Sequence, residues 1–118
     1  MLFRSCGLAR RSADVICDLT DGNSLATAIS SLDPRCVINA AAVTSLDACE
    51  ANPSEAWLVN ARAPGILAEF CRDRNIKFVH ISTDHYYSGD GAAQHDETAP
   101  IKILNEYART KYAAEGLA

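Results

Sequence analysis

The chain has no CxxC pair, no GxGxxG, no internal repeat and no low-complexity tract. No apolar run approaches the ~20 residues that a membrane-spanning helix requires. Its opening stretch, MLFRSCGLARRSADV, lacks the roughly 7–15-residue apolar segment of a secretory signal. A basic face is also missing: 15 Asp+Glu outweigh 11 Lys+Arg, for a net charge of −4. That balance argues against nucleic-acid and membrane-surface partners, both of which present phosphates to a positive surface. The five cysteines (Cys6, Cys17, Cys36, Cys49, Cys71) are an odd number without pairing motifs. They read as reduced, mostly buried thiols of a cytosolic protein. His80, His85 and His95 do not combine with them at ligand spacing, so no metal site is expected.

What remains is the composition of one globular domain. At 118 residues, 48% hydrophobic and 22% charged, the chain is long enough to bury roughly 65% of its unfolded surface in a single core. Strand and helix patterns alternate along it. Val15-Ile16-Cys17 is a short apolar run closed by Asp18-Leu19-Thr20-Asp21. Thr20 or Asp21 then caps a helix in which Leu25, Ala28, Ile29 and Leu32 recur at helical spacing. Asp33-Pro34 ends it, because the residue before proline is pushed out of the helical region. Cys36 to Ala42 is apolar without polar alternation, the pattern of a strand buried on both faces in a parallel sheet. Asn52 caps a further helix with Pro53 at its first position. Ala63-Pro64-Gly65 predicts a kink or restart in that helix. Lys77 to Asp84 is the next strand, with its polar residues at the carboxyl end. A loop from Ser88 to Pro100 leads to a last helix containing Tyr107, Lys111 and Leu117. This alternation predicts an α/β doubly wound parallel sheet, in which ligands sit beyond the carboxyl ends of the strands. Asp18, Ala40 to Thr44 and Ser82 to His85 all fall there.

The residues that suggest chemistry are Tyr107-Ala108-Arg109-Thr110-Lys111, a YxxxK at the start of a helix, and Ser82-Thr83-Asp84 at a strand end. The i, i+4 spacing places phenol and ammonium on one helical face. A free tyrosine ionises near pH ~10, and a neighbouring lysine cation favours phenolate and brings such a group toward acid–base work. A hydroxyl such as that of Thr83, 24 residues upstream of Tyr107, would hold a carbonyl substrate while Tyr107 gives or takes the proton.

With Asn105-Glu106 before the tyrosine, these segments resemble the extended short-chain dehydrogenase/reductases, in particular the dTDP-4-dehydrorhamnose reductase-like, sugar-nucleotide-binding group. Asp18-Leu19-Thr20-Asp21 is similar to the adenine-contacting turn of that family. Val37 to Ala42 with Thr44, Asp47 and Glu50 is similar to its strand and loop along the cofactor. Val59-Asn60, Pro64-Gly65 and Leu67-Ala68 are similar to the helix that follows. The resemblance implies a Rossmann-like NAD(P)-binding fold and catalytic roles for Thr83, Tyr107 and Lys111. It places Asp18, Leu19, Ala40, Ala41, Ala42, Asn60, Tyr107, Lys111 and Arg10 toward the cofactor, NADP or NAD, and Thr83, Asp84 and His85 toward a nucleotide-sugar substrate. Three of these assignments have alternatives. The alanine run also suits core packing, Asn60 also suits a structural polar role, and Arg10-Arg11 suits either the 2′-phosphate of NADP or a solvated pair.

The pattern departs from the family in places. The first strand, phosphate loop and first helix of the family have no counterpart, nor do the elements after the YxxxK helix. Residues 1–118 are therefore expected to be a partial NAD(P)-binding domain with no second domain. The doubly wound sheet would be incomplete, and the segment by itself a poor binder of dinucleotide. A homodimer of the full-length parent is left open. His85-Tyr86-Tyr87-Ser88-Gly89 stands where the rhamnose-pathway reductases usually continue Tyr-Val-Phe-Asp-Gly, and Ala108 replaces a usual glycine. The expected reaction is NAD(P)H-dependent reduction of the 4-keto group of a nucleotide-activated deoxysugar. The alternatives are a nucleotide-sugar epimerase or dehydratase, or a non-catalytic nucleotide-binding regulatory subunit.

Overall fold

The structure, a computed structural model, describes residues 4–87 and 94–118. Two pairs of parallel strands carry the chain's apolar runs. Strand β1 (Leu8–Ala9) pairs with β2 (Val15–Ile16), Leu8 opposite Val15. Strand β3 (Cys36–Asn39) pairs with β4 (Lys77–His80), with Val37 opposite Phe78 and Asn39 opposite His80. The pairs form two separate sheets.

Helix α1 (Gly22–Leu32) joins β2 to β3, and the Asp21 carboxylate caps it by accepting from the N–H groups of Asn23 and Ser24. It ends at Asp33, whose φ of 44° is left-handed, a conformation that halts a helix and that Asp tolerates better than most residues. Its Leu25, Ala28 and Ile29 pack with Cys17 and Leu67, and Leu8, Val15, Val37, Phe70 and Phe78 close around them. This core lies on one side of the strands. The alternate residues Ile16 and Ile38 are 61% and 66% exposed. The expectation that Cys36 to Ala42 is a strand buried on both faces is thus corrected. The strand stops at Asn39, and its Cys36 and Ile38 side is covered by no element among the described residues.

Between β3 and β4 lie three helices where the sequence pattern indicated one. Helix α2 (Leu46–Ala51) was not anticipated; the Ser45 hydroxyl caps it by accepting from Ala48 N–H. Helix α3 (Pro53–Trp57) starts as expected, with Asn52 as cap and Pro53 in its first turn. It runs without a break through a π-helical turn (Leu58–Arg62) into α4 (Ala63–Asp73). The expected kink or restart at Pro64 is replaced by that wider turn, closed by Ala63 N–H donating to the Leu58 carbonyl. Proline has no N–H for the carbonyl four residues back, and one π turn takes up the mismatch while the axis continues. At Gly65 an added Cβ would come within 3.2 Å of Leu117 Cβ, so α4 and the last helix, α5 (Glu106–Leu117), meet there at a distance that suits glycine. Residues 88–93 of the expected Ser88-to-Pro100 loop, Gly89 and Gly91 included, lie outside the described residues. All five cysteines are unpaired; Cys17, Cys49 and Cys71 are buried, and burial pushes their thiols up.

The π turn also presents Asn60 inward, where it is fully buried. Its Oδ1 accepts from Val43 N–H at 2.8 Å, while Nδ2 donates to the Val43 carbonyl at 3.0 Å and to Thr110 Oγ1 at 3.2 Å. One amide thereby fastens the segment after β3 to the middle of α5. Replacing Asn60 by Ala leaves the Val43 N–H unpaired, at a cost of about 1–3 kcal/mol, and takes one bond each from the Val43 carbonyl, which keeps Cys49 Sγ, and from Thr110 Oγ1, which keeps the Tyr107 carbonyl. Asn60→Ala should lower unfolding stability by about 2–4 kcal/mol, read as a drop in the thermal midpoint. A shift within error would show that the clamp carries no stability.

Candidate active site

Helix α5 begins where two groups meet its free N–H donors. The Asn105 side chain accepts from Ala108 N–H at 2.7 Å, and Glu50 Oε1, from α2, accepts from Glu106 N–H at 2.8 Å. Glu106 also pairs with Arg109 at 2.6 Å. With the helix start fixed, Tyr107 is half-buried and Lys111, one turn on, is 3% exposed. Lys111 Nζ donates to the Ile81 carbonyl at 2.5 Å and lies 3.5 Å from His80 Nε2. Burial holds its pKa below the ordinary lysine value, opposed by the charge of Glu115.

The partner surface is the carboxyl end of β4. Thr83 is half-buried, and its Oγ1 accepts from His85 N–H at 3.3 Å. The His85 ring stands edge-on to Tyr107, with centroids 5.4 Å apart at 86°. Thr83 is thus linked to Tyr107 through His85, and Lys111 reaches the carbonyl two residues before Thr83. Asp84 is exposed, and its carbonyl accepts from Tyr87 N–H at 3.0 Å.

Behind this surface lies a cluster that the sequence did not single out. Ser82 Oγ donates to Glu115 Oε1 at 2.5 Å, and the buried Tyr86 hydroxyl donates to the same oxygen. Tyr86 is boxed in by the rings of Tyr87 and Tyr112. Burial, then the bond to Glu115, pushes its phenol up to about 12. The only signal in the sequence was Glu115 itself, one turn beyond Lys111 on the same helical face.

A second group gathers beyond β1 and β2. Asp18 Oδ1 accepts from both the N–H and the hydroxyl of Thr20 at 2.8 Å, and its Oδ2 lies 3.4 Å from Arg10 Nε. The Thr20 bonds, more than Arg10, hold the Asp18 carboxyl below its ordinary pKa. Arg10 also reaches Glu55 at 3.9 Å. Two residues assigned to the cofactor therefore sit as an ion pair, beside an open cavity of about 240 Å³ lined by Arg10, Arg11, Ile16, Cys17, Asp18 and Ser24. Leu19 is half-buried against the core. Ala40 and Ala41 are exposed and Ala42 half-buried, so the core-packing alternative for this run does not describe the first two. Arg10, Asp18, Ala40 and Thr83 each follow the carboxyl end of one strand within three residues. Guanidinium groups suited to phosphate, a carboxylate suited to a ribose hydroxyl and uncovered backbone flanked by small side chains are a donor set that fits a dinucleotide. Among the described residues no His, Cys, Asp or Glu cluster is arranged for a metal, and no helix is long and apolar enough to cross a membrane.

The family described as RmlD substrate binding domain matches residues 4–117. The chain belongs to that family. The Haloferax volcanii protein named "Probable low-salt glycan biosynthesis reductase Agl14" is 45% identical over 101 residues, covering 83% of this chain and 33% of its own. The dTDP-4-keto-6-deoxy-D-glucose reductase of Streptomyces niveus is 39% identical over 98 residues, 83% of this chain and 34% of its own. The crystal structure of dTDP-4-dehydrorhamnose reductase from Bacillus anthracis in complex with NADP superposes with a TM-score of 0.78 at 29% identity, over 86% of this chain and 36% of that one. The chain thus spans about a third of the length of these relatives, and the architecture is part of a Rossmann-like α/β fold.

The Tyr86 phenol supplies a pH test. Its ionisation is raised from 10.0 to about 12 in the folded state. The neutral form therefore contributes stability that is fully present below pH 10 and is lost as pH climbs through the folded value. Spectrophotometric titration should show one phenol ionising near 12, lowered in Glu115→Gln and absent in Tyr86→Phe. A titration unchanged by Glu115→Gln would remove the carboxylate from this account.

Proposed function

We propose that the protein reduces the 4-keto group of a nucleotide-activated deoxysugar, using NADPH in preference to NADH. The reading rests most directly on the meeting of the Tyr107–Lys111 face of α5 with the Thr83 end of β4. The cofactor, when bound, supplies the hydride that goes to the carbonyl carbon. Tyr107 gives its phenolic proton to the developing alkoxide, and Thr83 holds the keto oxygen by a hydrogen bond from its hydroxyl. The Thr83 oxygen already accepts from His85 N–H, which leaves its hydrogen free to turn toward substrate. The Lys111 cation stabilises the oxyanion left on Tyr107 and bonds the nicotinamide ribose. Asp84 and His85, at the rim, face the sugar. Asp18, Leu19, Ala40, Ala41, Ala42 and Arg10 line the cofactor's path. Asn60 serves it indirectly by fixing Val43, which follows the alanines.

The family membership, the printed activities of the relatives and the NADP complex among the solved structures support this reading. The test is net oxidation of NADPH by the full-length parent supplied with a dTDP-4-keto-6-deoxy sugar. Cofactor bound and recycled without net oxidation would favour an epimerase or dehydratase instead. In the full-length parent, Tyr107→Phe should cut kcat by about 10²–10⁴-fold and leave the NADPH dissociation constant unchanged. Undiminished turnover would take Tyr107 out of the mechanism.

A further inference from the structure

The nearly buried amine of Lys111 faces an imidazole as well as a carbonyl, and what that imidazole offers is decided on its far side. Asn39, 4% exposed, stands opposite His80 in the register of β3 and β4. Its Nδ2 is 3.2 Å from His80 Nδ1. The orientation of the amide is set by Ala41, whose N–H donates to Asn39 Oδ1 at 3.2 Å. The oxygen is engaged there, so the nitrogen is the end that meets the ring. An amide NH₂ only donates. His80 Nδ1 must therefore accept, and in the neutral ring the hydrogen sits on Nε2, which lies 3.5 Å from Lys111 Nζ. The ring is held neutral: burial first, and the Lys111 charge second, push its pKa below 6.5, against a smaller opposing pull from Glu115.

An ammonium has no lone pair to receive that hydrogen, whereas a neutral amine has one. The Nε2–H group thus presses charged Lys111 toward the Ile81 carbonyl, where Nζ is found at 2.5 Å. It becomes a hydrogen-bond donor to the amine when Lys111 is neutral. We propose that His80 is a positioning residue for Lys111: the Asn39 amide fixes its Nε2–H tautomer, and that N–H, which an ammonium cannot accept, sets the place of Nζ against the Ile81 carbonyl. The inference rests on the reading in which Lys111 works beside Tyr107, and it adds two residues, Asn39 and His80, that act through Lys111. Of the other titratable groups near Nζ, Glu115 comes from the same helix, one turn on, and favours the charged form against the effect of burial.

The test joins a spectrum to a kinetic split. Nitrogen-15 NMR of the histidine-labelled protein should show the unprotonated, pyridine-like nitrogen of His80 to be Nδ1. In Asn39→Asp the carboxylate can accept from the ring, and the hydrogen should move to Nδ1 or the ring become charged. His80→Gln carries an amide NH₂ that can stand where Nε2–H stood, and should keep kcat within about threefold of wild type. His80→Phe frees Nζ from the position that the N–H imposes and should lose about tenfold in kcat, with KM for the keto sugar nearly unchanged. An Nδ1–H tautomer in the wild type, or equal loss in the Gln and Phe variants, would overturn the proposal. If the protein reduces no keto sugar, the proposed function falls while the spectra still decide this point. The Nε2–H tautomer, switched by Asn39→Asp, supports it, and the other tautomer rejects it.

Discussion

The donation from Lys111 to the carbonyl of Ile81 is the contact around which the remaining geometry is arranged. A lysine 3% exposed gives up most of its hydration, at an effective cost of several kcal/mol, and a hydrogen bond to a charged donor returns about 1.5–3 kcal/mol of it. Such a contact persists only if the helix and the strand end are held together by other means. Three fastenings do that. Glu50 binds the first N–H of α5, Asn60 ties Thr110 to the Val43 segment, and Glu115 takes the hydroxyls of Ser82 and Tyr86. They meet α5 at its start, middle and end, so neither rotation nor sliding of the helix is left as an easy relaxation. The phenol of Tyr107 inherits its position from those bonds, since its ring contact with His85 lies at an exposed rim.

The same economy appears on the other pair of strands. Asp18 is held by the backbone and hydroxyl of Thr20 before it meets Arg10. Arg10 is 66% exposed in its side chain, so the pair contributes little to stability and its guanidinium can be turned to a phosphate at small cost. A carboxylate fixed by its own turn beside a loosely held arginine suits recognition better than it suits structure. Arg11 lines the same cavity and adds a second guanidinium to it. The proposed preference for NADPH over NADH rests on these two guanidinium groups, which suit a 2′-phosphate.

Local chemistry in the sequence announced much of this. Asp21, Asn52 with Pro53, and Asp33 before Pro34 mark helix ends by the bonds or dihedrals their side chains impose, and each acts where its type requires. The YxxxK spacing likewise places Tyr107 and Lys111 on one helical face without further information. What escaped was set by distant partners. Ile38 looked like a buried strand residue because an apolar run reads the same whether one face is covered or two. The π turn before Pro64 was masked because a proline signals a broken hydrogen bond and not how the helix repairs it. Helix α2 rests on Ser45 alone, a weak start signal next to the apolar run before it. Asn39 and His80 are 41 residues apart, and only the register of β3 against β4 makes them neighbours.

The departures from the family pattern are where this chain's own chemistry lies. Ala108, where a glycine was expected, is fully buried and sits in the first turn of α5. Alanine in a helix is favoured over glycine by about 1 kcal/mol, and its methyl group is accommodated, so the substitution stiffens the helix start without moving Tyr107 off the strand end. His85 acts in the opposite direction. A tyrosine there would bring a hydroxyl and a larger ring; the smaller imidazole is set edge-on to the ring of Tyr107, and its backbone N–H bonds Thr83. Thr83, Tyr107 and Lys111 are held by the scaffold, whereas His85 stands at the exposed rim, so on the proposed reading substrate selectivity would depend on His85 more than on those three.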